Sequence, residues 1–449
     1  MSKTLPTWSP DSWRGLPIQQ QPQYDDPEAV ETALATVRRL PPLVSPGEID
    51  GLRRNLAKAA IGKAFVLQGG DCAERFEDCR RGAIENKLKI LLQMSLVLTW
   101  GAQTPVIRIG RMAGQYAKPR SSATEIVDGV EIPSYRGDHV NGHDPADRRP
   151  DPERLVQAYF HSASTLNYVR ALLDGGFADL HNPGHWDLGF VRSAARRARY
   201  EEVVDRILDA LAFVESAGAS GGEAFKTVQF YSSHEGLILP WEEAQTAEIN
   251  GKYYNLGAHM LWVGHRTRNL DGAHVEYFRG IANPVGVKVG PGTTPEGLVS
   301  LLDRLDPDDI PGKITLIARF GADQVLTQLP PLVHAVRATG RTVVWSCDPM
   351  HGNTVTAENG LKTRDAGRVF TEVSQSLTLH GDLGGVLGGV HFEMTGDNVT
   401  ECIGGPEELQ VADLSRSYET FCDPRLNYAQ SLEMAFLLAG GLRARRGSK

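Results

Sequence analysis

From residue 63 onward the chain repeats one unit, a short apolar, β-branched run that ends in glycine or polar residues and leads into a stretch of helical character. Eight runs fit this description: Ala64–Leu67, Pro105–Ile109, Thr227–Tyr231, Met260–Val263, Val285–Val289, Ile314–Ala318, Thr342–Ser346 and Gly389–Phe392. Strands alternating with helices imply parallel βαβ units. Repeated this many times, the units predict an α/β fold in which the sheet closes on itself, a (β/α)8 barrel.

The interval between the second and third runs is long. It holds helical stretches near Pro152–Leu173 and Phe190–Glu215, read as extra helices inserted within the barrel at about residues 185–225. The run Arg192, Arg196, Arg197, Arg199 followed by Glu201, Glu202 and Asp205 reads as a solvated helix face. Ahead of the barrel (residues 63–449), residues 1–62 read as an N-terminal extension with an interface or regulatory role. Its first 25 residues are rich in Pro, Gln and Trp and are expected to be irregular. Two amphipathic helices should follow, near Pro27–Leu40 and Gly47–Ala60, with Pro46 where a first helical turn tolerates proline.

Composition narrows the function. The chain carries 47 basic and 55 acidic residues, a formal charge of −8, which argues against a nucleic-acid surface. No run of about 18 apolar residues is present, so no membrane span is expected. The opening MSKTLPTWSPDSWRGLP lacks the apolar centre of a signal peptide, and the cytoplasm is the expected compartment. The five cysteines, Cys72, Cys79, Cys347, Cys402 and Cys422, are too sparse for a disulfide framework.

In a barrel of this kind, chemistry collects at the carboxyl ends of the strands. The first three runs lead into GGDCAE with Cys72, GRMAGQYAKPRSS with Arg111, Lys118, Arg120 and Ser121, and SSHEG with His234 and Glu235. The later runs bring GHRTR with His265 and Arg266, then Lys288, then Arg319, then Asp348 and His351 in CDPMHGN, Glu393 in HFEMTG and Asp423 in CDPRLN. Two sets stand out. Arg111, Lys118, Arg120, Arg266, Lys288 and Arg319 are a basic group inside an acidic protein, suited to a small polyanion, because arginine forks match phosphate and carboxylate oxygens. Salt bridges along the rim are the plain alternative for any one of them. Cys72, His351, Glu393 and Asp423 offer thiolate, imidazole and carboxylates, a mixed donor set for a divalent transition metal. Their wide spacing leaves open a buried free thiol and a core histidine.

Together GGDCAE, GRMAGQYAKPRSS, the WVGHRTR–DGAHVEY–NPVGVKVGP block, SCDPMHGN, HFEMTG–NVTECIGG and CDPRLNYAQSLEMAF resemble class II 3-deoxy-D-arabino-heptulosonate 7-phosphate (DAHP) synthases. The opening WSPDSWRGLPIQQQPQY resembles that family's N-terminus. The resemblance implies an enzyme that joins phosphoenolpyruvate to erythrose 4-phosphate, opening the shikimate route to aromatic amino acids. It implies Cys72, His351, Glu393 and Asp423 as metal ligands, with Mn2+ or Co2+ as the metal. It implies Arg111, Arg266, Lys288 and Arg319 as the phosphoenolpyruvate grip, with His265 beside them, and Lys118, Arg120 and Ser121 as erythrose 4-phosphate contacts. Lys288 and His351 are the proton-transfer candidates. The fold that the resemblance implies is the same barrel with an N-terminal extension and extra helices.

His265 departs from the family pattern, which carries an acidic residue there; a neutral imidazole could serve phosphate or water instead. The resemblance also brings Cys422 near Cys72, leaving either a reversible disulfide or a free buried Cys422. Family habit further implies a homodimer or homotetramer, aromatic amino acids as effectors and a chorismate mutase as a docking partner. The rival readings are a synthase joining phosphoenolpyruvate to another sugar phosphate, and a barrel without catalysis that serves as a regulatory partner.

Overall fold

The computed structural model describes residues 7–127, 129–175, 194–216 and 228–447. Its centre is a closed barrel of eight strands: β1 (Phe65–Gly70), β2 (Val106–Arg111), β3 (Phe230–Glu235), β4 (Met260–Val263), β5 (Val285–Val289), β6 (Ile314–Ala318), β7 (Val344–Cys347) and β8 (Gly389–Glu393). Each strand pairs in parallel with its sequence neighbours, and β8 closes on β1 with Gln68 opposite His391 and Gly70 opposite Glu393. The (β/α)8 expectation is met. Every connection is a crossover, as parallel strands require, and helices such as Arg81–Ala102, Pro295–Leu305, Val325–Ala338 and Ala366–Asp382 form the outer ring.

Five strands run past the carboxyl ends of their apolar runs, β7 by one residue to Cys347. β1 continues through Gly70, β2 through Arg111, β3 through Glu235 and β8 through Glu393. Hydrophobicity stops short because the added residues, one to four per strand, are mostly glycine or polar, such as Gln68, Arg111, Ser233, His234 and Glu393. The ladder itself continues, since backbone pairing does not depend on side-chain polarity. His234 and Glu235 therefore belong to β3 and do not follow it.

The lower half of the barrel is apolar. The helix Pro46–Ala60 packs Leu52, Leu56 and Ala59, all fully buried, against Val66, Ile107, Ile109, Tyr231, Met260 and Val344. Burying each leucine contributes about 2 kcal/mol. The helix starts on a capping box: Glu48 N–H donates to Ser45 Oγ, and Ser45 N–H donates back to Glu48 Oε2 at 2.8 Å. The helix Pro27–Arg39 buries Ala33, Leu34 and Val37 in a cluster with Leu155, Leu166 and Trp241. Both helices thus cover their apolar faces within the chain. Ahead of them the segment is not wholly irregular, because Ser12–Gly15 forms a 3-10 turn that buries Trp13.

Part of the inserted stretch at 185–225 lies outside the described residues. Within the described part, Ala194–Ser216 is helical and sets Tyr200, Val204 and Ile207 against Leu98, Phe436 and Ala439. Of the expected solvated face, Arg199, Glu201, Glu202 and Asp205 are exposed, Arg197 is half-buried, and Arg192 lies outside the described residues.

Candidate active site

Side chains two apart on a strand share a face. Ile109 lies in the apolar plug cluster, so Arg111 at the end of β2 faces inward at the mouth. The same rule sends Lys288, His391 and Glu393 inward, and all four side chains are buried. The loop after β1 adds Cys72, the loop after β7 adds Asp348 and His351, and the segment before the C-terminal helix adds Asp423.

Three of these groups converge. Cys72 Sγ, a Glu393 oxygen and an Asp423 oxygen lie within 4.8 Å of one another. His351 stands outside that trio but adjoins it through Glu393, its Nε2 3.1 Å from Glu393 Oε1, while its Nδ1 lies 2.7 Å from Asp348 Oδ2. The Asp348 contact can hold a proton on Nδ1, which leaves Nε2 as the ring nitrogen that faces Glu393 and would serve a metal once its own proton is lost, the usual arrangement for a metal-binding histidine. The donors fit a divalent transition metal. Burial pushes the Cys72 thiol up, and its hydrogen bond with Cys422 adds to this, so a nearby cation is the natural complement of a Cys72 thiolate. Glu393 is held well below the usual carboxylate range despite its burial, by His351 and Arg364 above all.

Cations already crowd this cluster. The Lys118 ammonium lies against Cys72 Sγ and 2.5 Å from Asp423 Oδ2. Lys362 Nζ is 3.1 Å from Asp423 Oδ1. Arg364 Nη2 lies 2.8 Å from Glu393 Oε2, and Arg111 Nη2 3.1 Å from Glu393 Oε1.

Beside it lies a second group. Lys288 Nζ is 2.5 Å from Asp348 Oδ2 and 2.9 Å from His391 Nε2, and Arg111 Nη1 reaches the same His391 nitrogen at 2.5 Å. The Trp262 ring lies under both cations, 5.0 Å from Arg111 and 5.8 Å from Lys288. Burial, set against the Asp348 charge, brings the Lys288 ammonium down to about 8. Arg319 Nη2 donates to the His351 carbonyl at 3.0 Å.

Arg111, Lys288, Lys118, Cys72, His351, Glu393 and Asp423 are thus drawn together, with Arg319 at their edge. The remaining candidates sit further out. The Arg120 guanidinium lies 2.7 Å from Glu125 on the hairpin Thr124–Val127/Val130–Pro133, and Ser121 is exposed. Arg266 and His265 are exposed after β4, with His265 Nδ1 3.3 Å from Arg268 Nη2. The buried part of the His265 ring, then Arg268, Arg319 and Arg266, bring its pKa down to about 4, so it is neutral at pH 7.

Sequence reasoning passed over Gln68, Ser233, His391, Arg364 and Arg425. For His391 the signal was present, since it stands two residues before Glu393 on one strand. Arg364 and Arg425 carried no local signal, because only the folded chain brings them to Glu393 and to Asp71 and Glu401.

Among the described residues no helix is long and apolar enough to cross a membrane. Residues 8–439 match the Class-II DAHP synthetase family. The chain is 52% identical to a phospho-2-dehydro-3-deoxyheptonate aldolase of Neurospora crassa, covering 99% of this chain and 96% of the relative. It is 50% identical to a protein of the same name from Streptomyces coelicolor, covering 98% of each. Against phospho-2-dehydro-3-deoxyheptonate aldolase AroG of Mycolicibacterium smegmatis the identity is 47%, over 96% of this chain and 94% of that one. With a closed barrel, a thiol–imidazole–carboxylate cluster and a basic pocket beside it, this chain belongs to the Class-II DAHP synthetase family.

Proposed function

We propose that the chain condenses phosphoenolpyruvate with erythrose 4-phosphate and water, giving DAHP and inorganic phosphate, the opening step of the shikimate pathway. The observation that supports this reading is the adjacency of two sets, the Arg111–Lys288 pair for an anion and the Cys72–Glu393–Asp423 cluster with His351 beside Glu393 for a cation, with Lys288 and His351 sharing Asp348. A divalent metal, Mn2+ or Co2+, held by those four side chains would polarise the aldehyde of erythrose 4-phosphate.

The chain's own groups do the rest. Arg111 and Lys288 grip phosphoenolpyruvate with Arg319 and Arg266 at the edge, while Lys118 at the cluster receives erythrose 4-phosphate, with Arg120 and Ser121 further out serving its phosphate end once Arg120 exchanges Glu125 for that phosphate. Holding two mutually repelling anions side by side offsets their repulsion and fixes the reacting carbons. The methylene carbon of the enolpyruvate forms the new bond to the aldehyde carbon, whose oxygen takes a proton and becomes a hydroxyl. Water adds at the carbon bearing the phosphate ester, and that C–O bond breaks to release phosphate. Lys288, buried between Asp348 and His391, and His351 are the groups we assign to proton transfer.

Phosphate release from the two substrates, followed with and without chelator, tests this reading. Turnover that survives complete metal removal would refute the metal-binding assignment, and no turnover with any divalent ion would refute the reaction. Adding Phe, Tyr and Trp to the same assay tests aromatic effectors, and gel filtration tests a homodimer or homotetramer and a chorismate mutase complex. The N-terminal extension and the inserted helices are the segments proposed to serve those contacts, the extension through surface other than the apolar faces it already buries.

A further inference from the structure

His391 Nε2 faces two cations at once, the Lys288 ammonium at 2.9 Å and the Arg111 guanidinium at 2.5 Å. Both groups can only donate. The nitrogen between them must therefore offer a lone pair, and the ring proton must sit on Nδ1. The other side of the ring agrees. Nδ1 lies 2.8 Å from Gln68 Oε1, Gln68 Nε2 lies 2.9 Å from Ser233 Oγ, and Ser233 Oγ lies 3.0 Å from the Gly110 carbonyl. A backbone carbonyl only accepts, so the Ser233 hydroxyl donates to it and accepts from the Gln68 amide. That orients the amide with its oxygen toward His391, where it accepts the Nδ1 proton. Every donor direction from β2 to Lys288 is thereby fixed by one carbonyl. Gln68, Ser233 and His391 are all buried.

We infer that Gln68, Ser233 and His391 form a positioning relay that sets how Lys288 presents its protons to the anionic substrate. The inference rests on the reading of Lys288 as a phosphoenolpyruvate contact. Two of the three ammonium protons are directed to Asp348 and His391, which aims the third into the pocket. Should the amide turn over, its NH2 would face the ring, His391 would carry its proton on Nε2, and Lys288 would lose an acceptor and meet a donor. The charged and titratable groups facing Lys288 are Asp348 beyond β7, His391 and Glu393 on β8, Arg111 on β2 and Glu235 on β3. None of the relay residues is required to touch substrate.

The test is calorimetric titration of phosphoenolpyruvate into the full-length protein between pH 6 and 10. For the native chain, affinity should weaken as pH rises through about 8, where Lys288 loses its proton. Gln68→Met leaves the His391 Nδ1 proton without its acceptor and weakens the His391–Lys288 hydrogen bond, and should move that limb lower by up to about one pH unit, the size of losing that bond to a charged group outright. Ser233→Ala, a smaller change that releases the amide, should move it the same way, and it keeps the test open should Gln68→Met fail to fold. Gln68→Glu retains an oxygen that accepts the Nδ1 proton and should return the limb to its native position or above. Limbs that coincide in all variants overturn the relay, as does a shift of Gln68→Glu in the same direction as Gln68→Met. A native chain that binds phosphoenolpyruvate with no limb at all refutes the Lys288 assignment and the relay with it, whereas failure of the native chain to bind at pH 7 refutes the substrate reading.

Discussion

Arg425 stands two residues beyond Asp423 and ties two site loops together. Its Nη1 is 2.7 Å from Asp71 Oδ1, beside Cys72, and its Nη2 and Nε lie 2.7 Å and 3.0 Å from the two Glu401 oxygens. Both carboxylates are fully buried. Replacing Arg425 by Met keeps the volume and removes the charge. Breaking a buried ion pair by deleting one partner costs about 3–5 kcal/mol, because the surviving charge is left in a low-dielectric interior. Asp71 retains the Lys87 ammonium, and Glu401 retains the Arg425 backbone N–H at 2.7 Å, so the low end, about 3 kcal/mol, is expected. The loops carrying Cys72 and Asp423 lose their shared anchor, and metal affinity should fall roughly 10–100-fold, as for other lost supports of metal ligands. Denaturant unfolding and a competitive metal titration measure the two effects. Adding Glu401→Gln should recover about 1 kcal/mol or more of the stability, since the stranded charge is then gone. Arg425→Met unfolding within about 0.5 kcal/mol of the native chain, a value typical of surface changes, would refute the buried-charge argument. Unchanged metal affinity would refute the link between the loops.

Cys72→Ser exchanges a thiolate donor for a hydroxyl that stays protonated at neutral pH, so metal affinity and turnover should both collapse in equilibrium dialysis and phosphate release; native turnover in this variant would remove the assignment. Lys118→Ala should raise the Michaelis constant for erythrose 4-phosphate by roughly tenfold or more and that for phosphoenolpyruvate much less, and equal rises would contradict the division of the pocket. Burial lowers Lys288 and Lys313 to about 8 each, below their unfolded value near 10.5. Between those pH values the unfolded chain holds more protons, so these two groups make the fold more stable as pH climbs, while phosphoenolpyruvate binding weakens over the same range. Unfolding free energy and binding affinity followed from pH 7 to 10 should diverge, and a parallel decline would count against the assignment.

The barrel was legible because its strands are short apolar runs separated by helical periods, a pattern that depends on local burial alone. The mouth was legible in part, because chemistry at the carboxyl ends follows from the same topology. The residues that escaped were set by pairing across the barrel. Gln68 looks like an isolated polar residue in an apolar strand until β8 brings His391 opposite it. Arg364 reads as an ordinary charge after a loop until the hairpin Thr354–Thr356/Lys362–Arg364 folds back and seats it fully buried against Glu393. The helix Pro46–Ala60 announces an apolar face, but periodicity does not name the surface that covers it; the barrel floor does. The same limit applies to KPRSS, whose compact motif divides in space, with Lys118 at the thiol–carboxylate cluster and Arg120 turned to the hairpin.

One oxygen joins the two halves of the site. Asp348 Oδ2 accepts from Lys288 at 2.5 Å and from His351 Nδ1 at 2.7 Å, so the grip on the anion and the orientation of a metal donor share an acceptor. His351 and Lys288 hold this carboxyl well below the ordinary range although it is wholly buried. A negative charge fixed there stabilises both the Lys288 ammonium and the Nδ1–H form of His351, the form whose Nε2 can meet a cation. The two functions are therefore prepared together, before any substrate arrives, and positioned acceptors replace the reorientation that water would otherwise require. On the far side of Lys288, His391 accepts without adding charge. An anionic carboxylate against one face of the ammonium and a neutral imidazole against the other leave Lys288 protonated near neutrality yet close enough to its pKa to release a proton, the condition that proton transfer at this pH demands.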